Sequence, residues 1–299
     1  MNVLLEIRDN IKEAYIRYDA FINPIGKFFL ALITLLTINS RLGYMHRIDS
    51  TAIVLVVALG CSFMPAGVIM LFGALFSILH AYSLSLEAVV IVGVVYLVLY
   101  LLYLRFVPKE SVVIVASALL CAFKMPYLLP VSAGLLGTPA TALSVGAGVI
   151  VYSLLKLIAK DSEFVTGAAD AEITDKIRML IDGLLRNKAM LLFIIAFAIT
   201  IIVVYVIRRL PIVHAWTISV AAGTVIEFIV LVAGNAAFKT GLKMGVVFFQ
   251  LILSLGVALV VEFFKFLVDY DRAESVQFED DDYYYYVKAV PMLWSFLTN

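Results

Sequence analysis

Nine apolar runs follow one another along the chain, near residues 24–39, 51–63, 66–82, 86–105, 111–136, 140–159, 189–207, 212–233 and 243–267. Most have about the length needed to cross a hydrocarbon core roughly 30 Å thick. Lipid offers no partner to backbone N–H and C=O groups, so a spanning segment must satisfy them internally. The runs are too long and too uniformly apolar to alternate as barrel strands do, which leaves helices. Composition agrees: 64% of the 299 residues are hydrophobic, 15% are charged, and the mean hydropathy is +1.06. A soluble domain is about half apolar and about a quarter charged. The expected fold is all-α, a polytopic transmembrane bundle of about eight or nine membrane segments, some broken by proline, with a short β-hairpin-like C-terminal tail.

The same inventory excludes several classes of function. Bases and acids balance at 22 each, so there is no surplus to neutralise phosphates, and nucleic acid is not an expected partner. Cys61 and Cys121 both sit inside apolar runs and are too few for a disulfide framework or a zinc site. His46, His80 and His214 lie far apart with no metal-ligand spacing. There is no phosphate-binding loop, nucleophile elbow or HExxH, and no soluble stretch longer than about 35 residues to house a catalytic domain. The expectation is a protein that is not an enzyme, with no cofactor and no metal; an ATP-driven mechanism would need a second chain.

Five regions follow from the pattern. Residues 1–23 mix acids and bases with apolar positions at helical spacing and read as an amphipathic segment on the membrane surface. Residues 24–159 form a transmembrane region, 160–188 a polar and amphipathic linker, 189–268 a three-span region, and 269–299 a tail rich in tyrosine and aspartate. Within the linker, Ile173, Ile177, Leu180, Ile181, Leu184 and Leu185 share one helical side, suited to a lipid interface or a partner subunit.

Two runs are irregular in the same manner. Ala58-Leu59-Gly60-Cys61-Ser62-Phe63-Met64-Pro65 matches Ala118-Leu119-Leu120-Cys121-Ala122-Phe123-Lys124-Met125-Pro126 after a slide of 60 residues and one insertion. Further on, Gly73 falls opposite Gly134, and Leu84-Ser85 opposite Leu143-Ser144. The spacing suggests an internal repeat of about 49–105 and 109–159. Each proline removes a backbone donor and leaves carbonyls that need another partner. Paired broken segments point to a transporter site, so Pro65 and Pro126 are pathway candidates, expected to lie together around a polar cavity. If each unit makes three crossings the copies are inverted. Whether 111–136 crosses once or twice stays open, and with it the sidedness of the C-terminus.

An ionisable side chain inside a span is costly and suggests function. Glu227 follows Ser219, Gly223 and Thr224 on one helical side, a small-residue stripe that turns the carboxyl toward protein, either to hold a proton or cation or to hydrogen-bond a neighbouring helix. Lys124, immediately before Met125-Pro126, either binds an anion at the break or snorkels to the interface. Gln250 is placed to cross-bond two helices.

After the last run, Ser275–Glu279 and Tyr283–Val290 flank an aspartate cluster, the pattern of a hairpin. A two-stranded hairpin is marginal alone in water. Phe278, Tyr283, Tyr284, Tyr285 and Tyr286 are therefore candidates for binding a partner protein or a second copy through residues 274–291, or for anchoring at the interface. The four carboxylates of residues 279–282 lack the spacing and glycine of a calcium loop.

The string VQFEDDDYYYYVKAVP, with Val204-Tyr205-Val206-Ile207-Arg208-Arg209-Leu210 and the start MNVLLEIRDNIK, resembles an uncharacterised family of multi-pass membrane proteins of anaerobic Gram-positive bacteria. The resemblance runs over most of the chain, except that Met292–Asn299 departs from the family's usual continuation. It implies a bacterial cytoplasmic membrane and supplies no activity, substrate or functional residues. The leading expectation is a transporter-like or permease-like component for a small solute or ion, embedded in the lipid bilayer. The alternative is a non-catalytic membrane scaffold that recruits a partner through its tail.

Overall fold

A computed structural model describes residues 2–101, 110–160, 178, 181–212, 214–265, 274–280 and 283–289. The chain forms two compact units, Met1–Val261 and Glu262–Asn299. The first is built from α1 (Asn2–Leu42), α2 (Thr51–Ser62), α3 (Gly67–Leu84), α4 (Leu86–Leu99), α5 (Ser111–Ala122), a 3-10 turn (Pro126–Leu128), α6 (Pro130–Leu136), α7 (Thr141–Lys160), α8 (Lys188–Ile207), α9 (Ala215–Phe238) and the body of α10 (Met244–Lys265). Among the described residues six helices are long and apolar enough to cross a membrane: α1, α3, α7, α8, α9 and α10. Four further apolar pieces, α2, α4, α5 and 126–136, are shorter. Large apolar side chains such as Val56, Phe249 and Ile229 stay exposed on the outside, as a bundle solvated by lipid requires. The protein is a multi-pass integral membrane protein.

Hydrogen bonds fix the direction of each helix. Asn39 Nδ2 donates to Ile48 O at 2.9 Å and Lys27 Nζ to Met64 O at 3.2 Å, so α2 runs back along α1. The Ser83 hydroxyl donates to Tyr44 O at 2.9 Å, which brings α3 back to the end where α1 finishes. Arg41 donates to Ala122 O and Tyr44 Oη donates to Ala159 O, so α5 and α7 finish at that same end. Their starts are pinned together at the opposite end by Glu110, whose carboxylate accepts from Thr141 Oγ1 at 3.0 Å and Ser144 Oγ at 2.8 Å. Two parallel helices joined in sequence require a return between them. Residues 126–136 supply it, and Arg208 at the close of α8 receives the far end by donating to Leu135 O and, at 2.5 Å, to Gly137 O.

The interrupted run at 111–136 therefore goes in and comes back. Its first leg, α5, has 12 residues and spans about 18 Å at 1.5 Å per residue, short of a full crossing. The ends of the bundle are named below for residues that mark them: Leu42 for the end where α1, α3, α5, α7 and α9 finish, Arg208 for the other.

The N-terminal segment differs from expectation. It meets the first span at a kink: within the 41 residues of α1 two helices join at Tyr18, where φ is −110° and ψ 15°, six residues before the expected boundary, and Pro24 lies inside the second of them. Most of the linker lies outside the described residues; residues 181–185 are helical, and Arg186 pairs with Asp182 at 3.4 Å.

Close packing follows the small residues. A Cβ at Gly148 of α7 would collide with Ser117 and Ile114 O of α5, and one at Gly223 of α9 with Val204 of α8. At the Leu42 end a buried polar chain ties α1 to α3. His80 Nδ1 accepts from Met45 N–H at 3.2 Å, so Nε2 carries the proton and donates to Asn39 Oδ1 at 2.9 Å.

In the second unit, β1 (Glu274–Asp280) pairs antiparallel with β2 (Tyr283–Ala289), in a register that sets Phe278 opposite Tyr285 and Asp280 opposite Tyr283.

Candidate functional site

The site begins at the break after α5. Pro126 has no N–H to continue a helix and clashes with the preceding turn, so the chain must leave the helix before it. It does so through a left-handed residue: Lys124 has φ 61°, Lys124 N–H donates to Cys121 O at 3.1 Å, and Met125 N–H donates to Leu120 O at 2.8 Å. This is the six-to-one and five-to-two bond pair that closes many helices, with lysine where glycine is usual. The one residue by which this segment exceeds the Pro65 segment makes room for the closure; no left-handed residue occurs between Cys61 and Pro65.

The closure leaves the Lys124 carbonyl without a helical donor, and Gln250 of α10 supplies one through Nε2 at 2.8 Å. Gln250 is buried, and its Oε1 has no hydrogen-bond partner. Around this bond opens a pocket of about 280 Å³ whose lining includes Lys124, Pro126, Tyr127, Tyr152, Lys156, Lys243 and Gln250. Three of the sequence candidates, Lys124, Pro126 and Gln250, thus share one pocket at the Leu42 end. Among the described residues no carboxylate lines it.

Pro65 is elsewhere. It is exposed beside the Lys27–Met64 bond, toward the Arg208 end, whereas Pro126 is buried at the Leu42 end. The expectation that the two prolines frame one cavity fails, because α2 and α5 run in opposite directions and their broken ends point apart.

Glu227 is wholly buried on α9, and neither carboxyl oxygen has a hydrogen-bond partner. Ser219, Gly223 and Thr224 are buried on the same side. Leu231 packs with Leu251 in one apolar cluster, and Val220 with Ala258 in the next. Along α9 and α10, Glu227 and Ser254 each lie between the residues that these helices give to the two clusters. The Ser254 hydroxyl, fully buried, is also unpartnered, as is that of Ser132 on α6. Tyr127, which lines the pocket, lies within electrostatic range of Glu227. An isolated carboxylate in such surroundings costs several kcal/mol, so the group requires a proton or a cation upon it.

A second cavity, about 60 Å³ and almost wholly apolar, lies between α1, α3, α4, α5 and α7 and shares Tyr152 with the first. The Arg41 guanidinium sits over the Tyr152 ring, 5.5 Å from its centroid, and Lys156 at 5.9 Å. Among the described residues no group of three or more His, Cys, Asp or Glu could hold a metal.

The chain matches no family model, no curated protein and no solved structure.

Lys156 and Lys243 were legible in the sequence only as charges flanking spans, because nothing in their spacing ties them to Lys124. Glu110 had a weak signal as an acid at the head of the second repeat unit. The tyrosines at 283–286 and Phe278 lie on the paired strands of the second unit, a placement that leaves their function as a surface to the proposal below.

Proposed function

We propose that the protein is a transporter-like or permease-like component for a small solute or ion, non-enzymatic, with its pathway passing from the Lys124–Gln250 pocket along the α9–α10 seam to Glu227. The observation that carries this reading is the buried, unpartnered carboxyl of Glu227 inside a span, behind a pocket that opens at one end. The arrangement of α2–α4 and α5–α7 supports it. Each unit leads with a helix of 12 residues that ends at a proline break, and the two lead helices start from opposite ends, which suits an inverted repeat.

Charge suggests the orientation. Arg41, Arg47, Lys124, Lys156, Lys160, Arg186, Lys188, Lys239 and Lys243 gather at the Leu42 end, against Arg8, Lys12, Arg17, Lys27, Arg208 and Arg209 toward the other, so the Leu42 end faces the cytoplasm in this reading. The sequence resemblance favours a bacterial cytoplasmic membrane. The test is proton flux in proteoliposomes loaded with a pH-sensitive dye. Glu227→Gln is expected to abolish a flux that the native protein shows; equal flux from both proteins, or none from either, overturns the reading.

The scaffold alternative draws on the tail, whose two-stranded sheet has both outer edges free to accept another strand among the described residues. Deleting residues 274–291 would then release a co-purifying partner while the membrane unit stays folded.

A further inference from the structure

Three lysines from three separate stretches of chain meet at one pocket, and among the described residues no carboxylate lines it. Lys124 comes from the break after α5, Lys156 from the last turns of α7, and Lys243 from the residue before α10; all three are exposed to the opening. Lys124 is held there by the left-handed closure of α5 and by Gln250 on its carbonyl, so its placement is built into the backbone. Three like charges around one opening repel one another, and a solvated anion between them relieves that repulsion.

The polar remainder of the pocket narrows the choice of anion. Gln250 gives one of its two amide N–H groups to the Lys124 carbonyl, and its Oε1 stays buried without a partner in the pocket lining, an acceptor that a ligand bringing a donor would satisfy. A hydrogen phosphate or phosphate ester with a free hydroxyl offers negative oxygens to the lysines and an O–H to Gln250. A sulfate offers only the first.

We infer that this pocket binds a phosphate with a hydroxyl on or beside it, supplied either by free hydrogen phosphate through its P–OH or by an anionic phospholipid headgroup through an alcohol such as the glycerol of phosphatidylglycerol. The inference names a ligand class for the mouth of the pathway proposed above and rests on that reading only for what binding accomplishes.

The full chain in nanodiscs of pure phosphatidylcholine is titrated with inorganic phosphate and with sulfate. A second preparation contains phosphatidylglycerol, and lipid retained by the protein is counted by native mass spectrometry. The triple variant Lys124→Gln, Lys156→Gln, Lys243→Gln is expected to bind phosphate or retain phosphatidylglycerol roughly tenfold less well, the combined effect of three partly solvated charges. The triple change to arginine, which keeps the charge, is expected to hold binding within about threefold of native and guards against a folding artefact. Phosphate is expected to bind about tenfold more tightly than sulfate, because sulfate leaves Gln250 Oε1 unpaired.

Lysine-dependent binding in phosphatidylcholine assigns the free anion as the source. Lysine-dependent retention of phosphatidylglycerol alone assigns the headgroup. Binding of neither probe, binding unchanged in the glutamine triple variant, or sulfate binding as tightly as phosphate overturns the inference. Because no gradient is applied, a chain that binds phosphate through its lysines yet fails the dye assay would overturn the transport reading alone.

Discussion

Gln250 donates its side-chain amide to the backbone carbonyl of Lys124 at 2.8 Å, joining α10 to a helix end 126 residues earlier in sequence. The bond exists because Pro126 ends α5 inside the protein and strands a carbonyl there. At the other break, Met64 O finds Lys27 Nζ at 3.2 Å. In both places a side chain from another helix takes over what the helix can no longer provide.

Replacing Gln250 by leucine keeps the volume near α10 and withdraws that donor. The folded state is expected to lose about 1–2 kcal/mol, the cost of a partly buried acceptor left unpaired. Thermal unfolding of the purified chain in detergent measures it, and an unshifted midpoint would mean that water serves the carbonyl equally well.

Glu227 should behave in the opposite sense. Its carboxyl is wholly buried without a partner, so Glu227→Leu removes an unsatisfied polar group and is expected to stabilise the fold by about 1–3 kcal/mol while eliminating any proton or cation exchange there. A destabilisation of similar size would reveal a structural partner for the carboxyl.

Helix approach offers a matched pair of glycines. At Gly148 an added Cβ meets Ser117 and Ile114 O, so Gly148→Ala should force α5 and α7 apart at about 1–3 kcal/mol. At Gly26 nothing lies within 4 Å, and Gly26→Ala should instead gain up to about 1 kcal/mol from helix propensity. Opposite shifts of the unfolding midpoint are the expected result; equal shifts would contradict the α5–α7 contact.

The short return helix depends on Arg208. Its guanidinium donates to Leu135 O and Gly137 O, beyond which α6 has no further turn, and it lies over Tyr205 and Trp216 at 5.1 Å and 5.6 Å from the ring centroids. Arg208→Met should therefore speed amide hydrogen exchange in residues 130–136 by tenfold or more, with α9 less affected. Arg208→Lys should restore only part of the protection, since an ammonium cannot reproduce the planar fork.

Orientation is open to a direct measurement. In a background with Cys61 and Cys121 replaced, Lys239→Cys marks the Leu42 end and Leu210→Cys the Arg208 end, both at exposed positions. A membrane-impermeant thiol reagent applied to whole cells is expected to label position 210 and spare 239; the reverse pattern would invert the assignment made from the basic residues.

Local order was legible wherever one residue type dominates a local cost. The apolar runs became helices because lipid leaves backbone groups no alternative, and the breaks at Pro65 and Pro126 fell where the missing N–H requires them. The buried side of α9 followed from the spacing of Ser219, Gly223, Thr224 and Glu227, since residues three and four apart share a helical face. The N-terminal boundary did not follow, because Pro24 sits within α1 and the kink falls six residues earlier, at Tyr18.

Sequence alone determined the solvent of this protein, the helical class and the positions where its helices break, for each depends on costs confined to a turn or two of chain. Only the tertiary structure decided that 111–136 goes in and returns, that Pro65 and Pro126 point apart, and that Lys124, Lys156 and Lys243 share one opening. Those outcomes depend on which carbonyls Arg41, Arg208 and Gln250 reach, and such bonds between distant helices leave no periodic trace in the sequence.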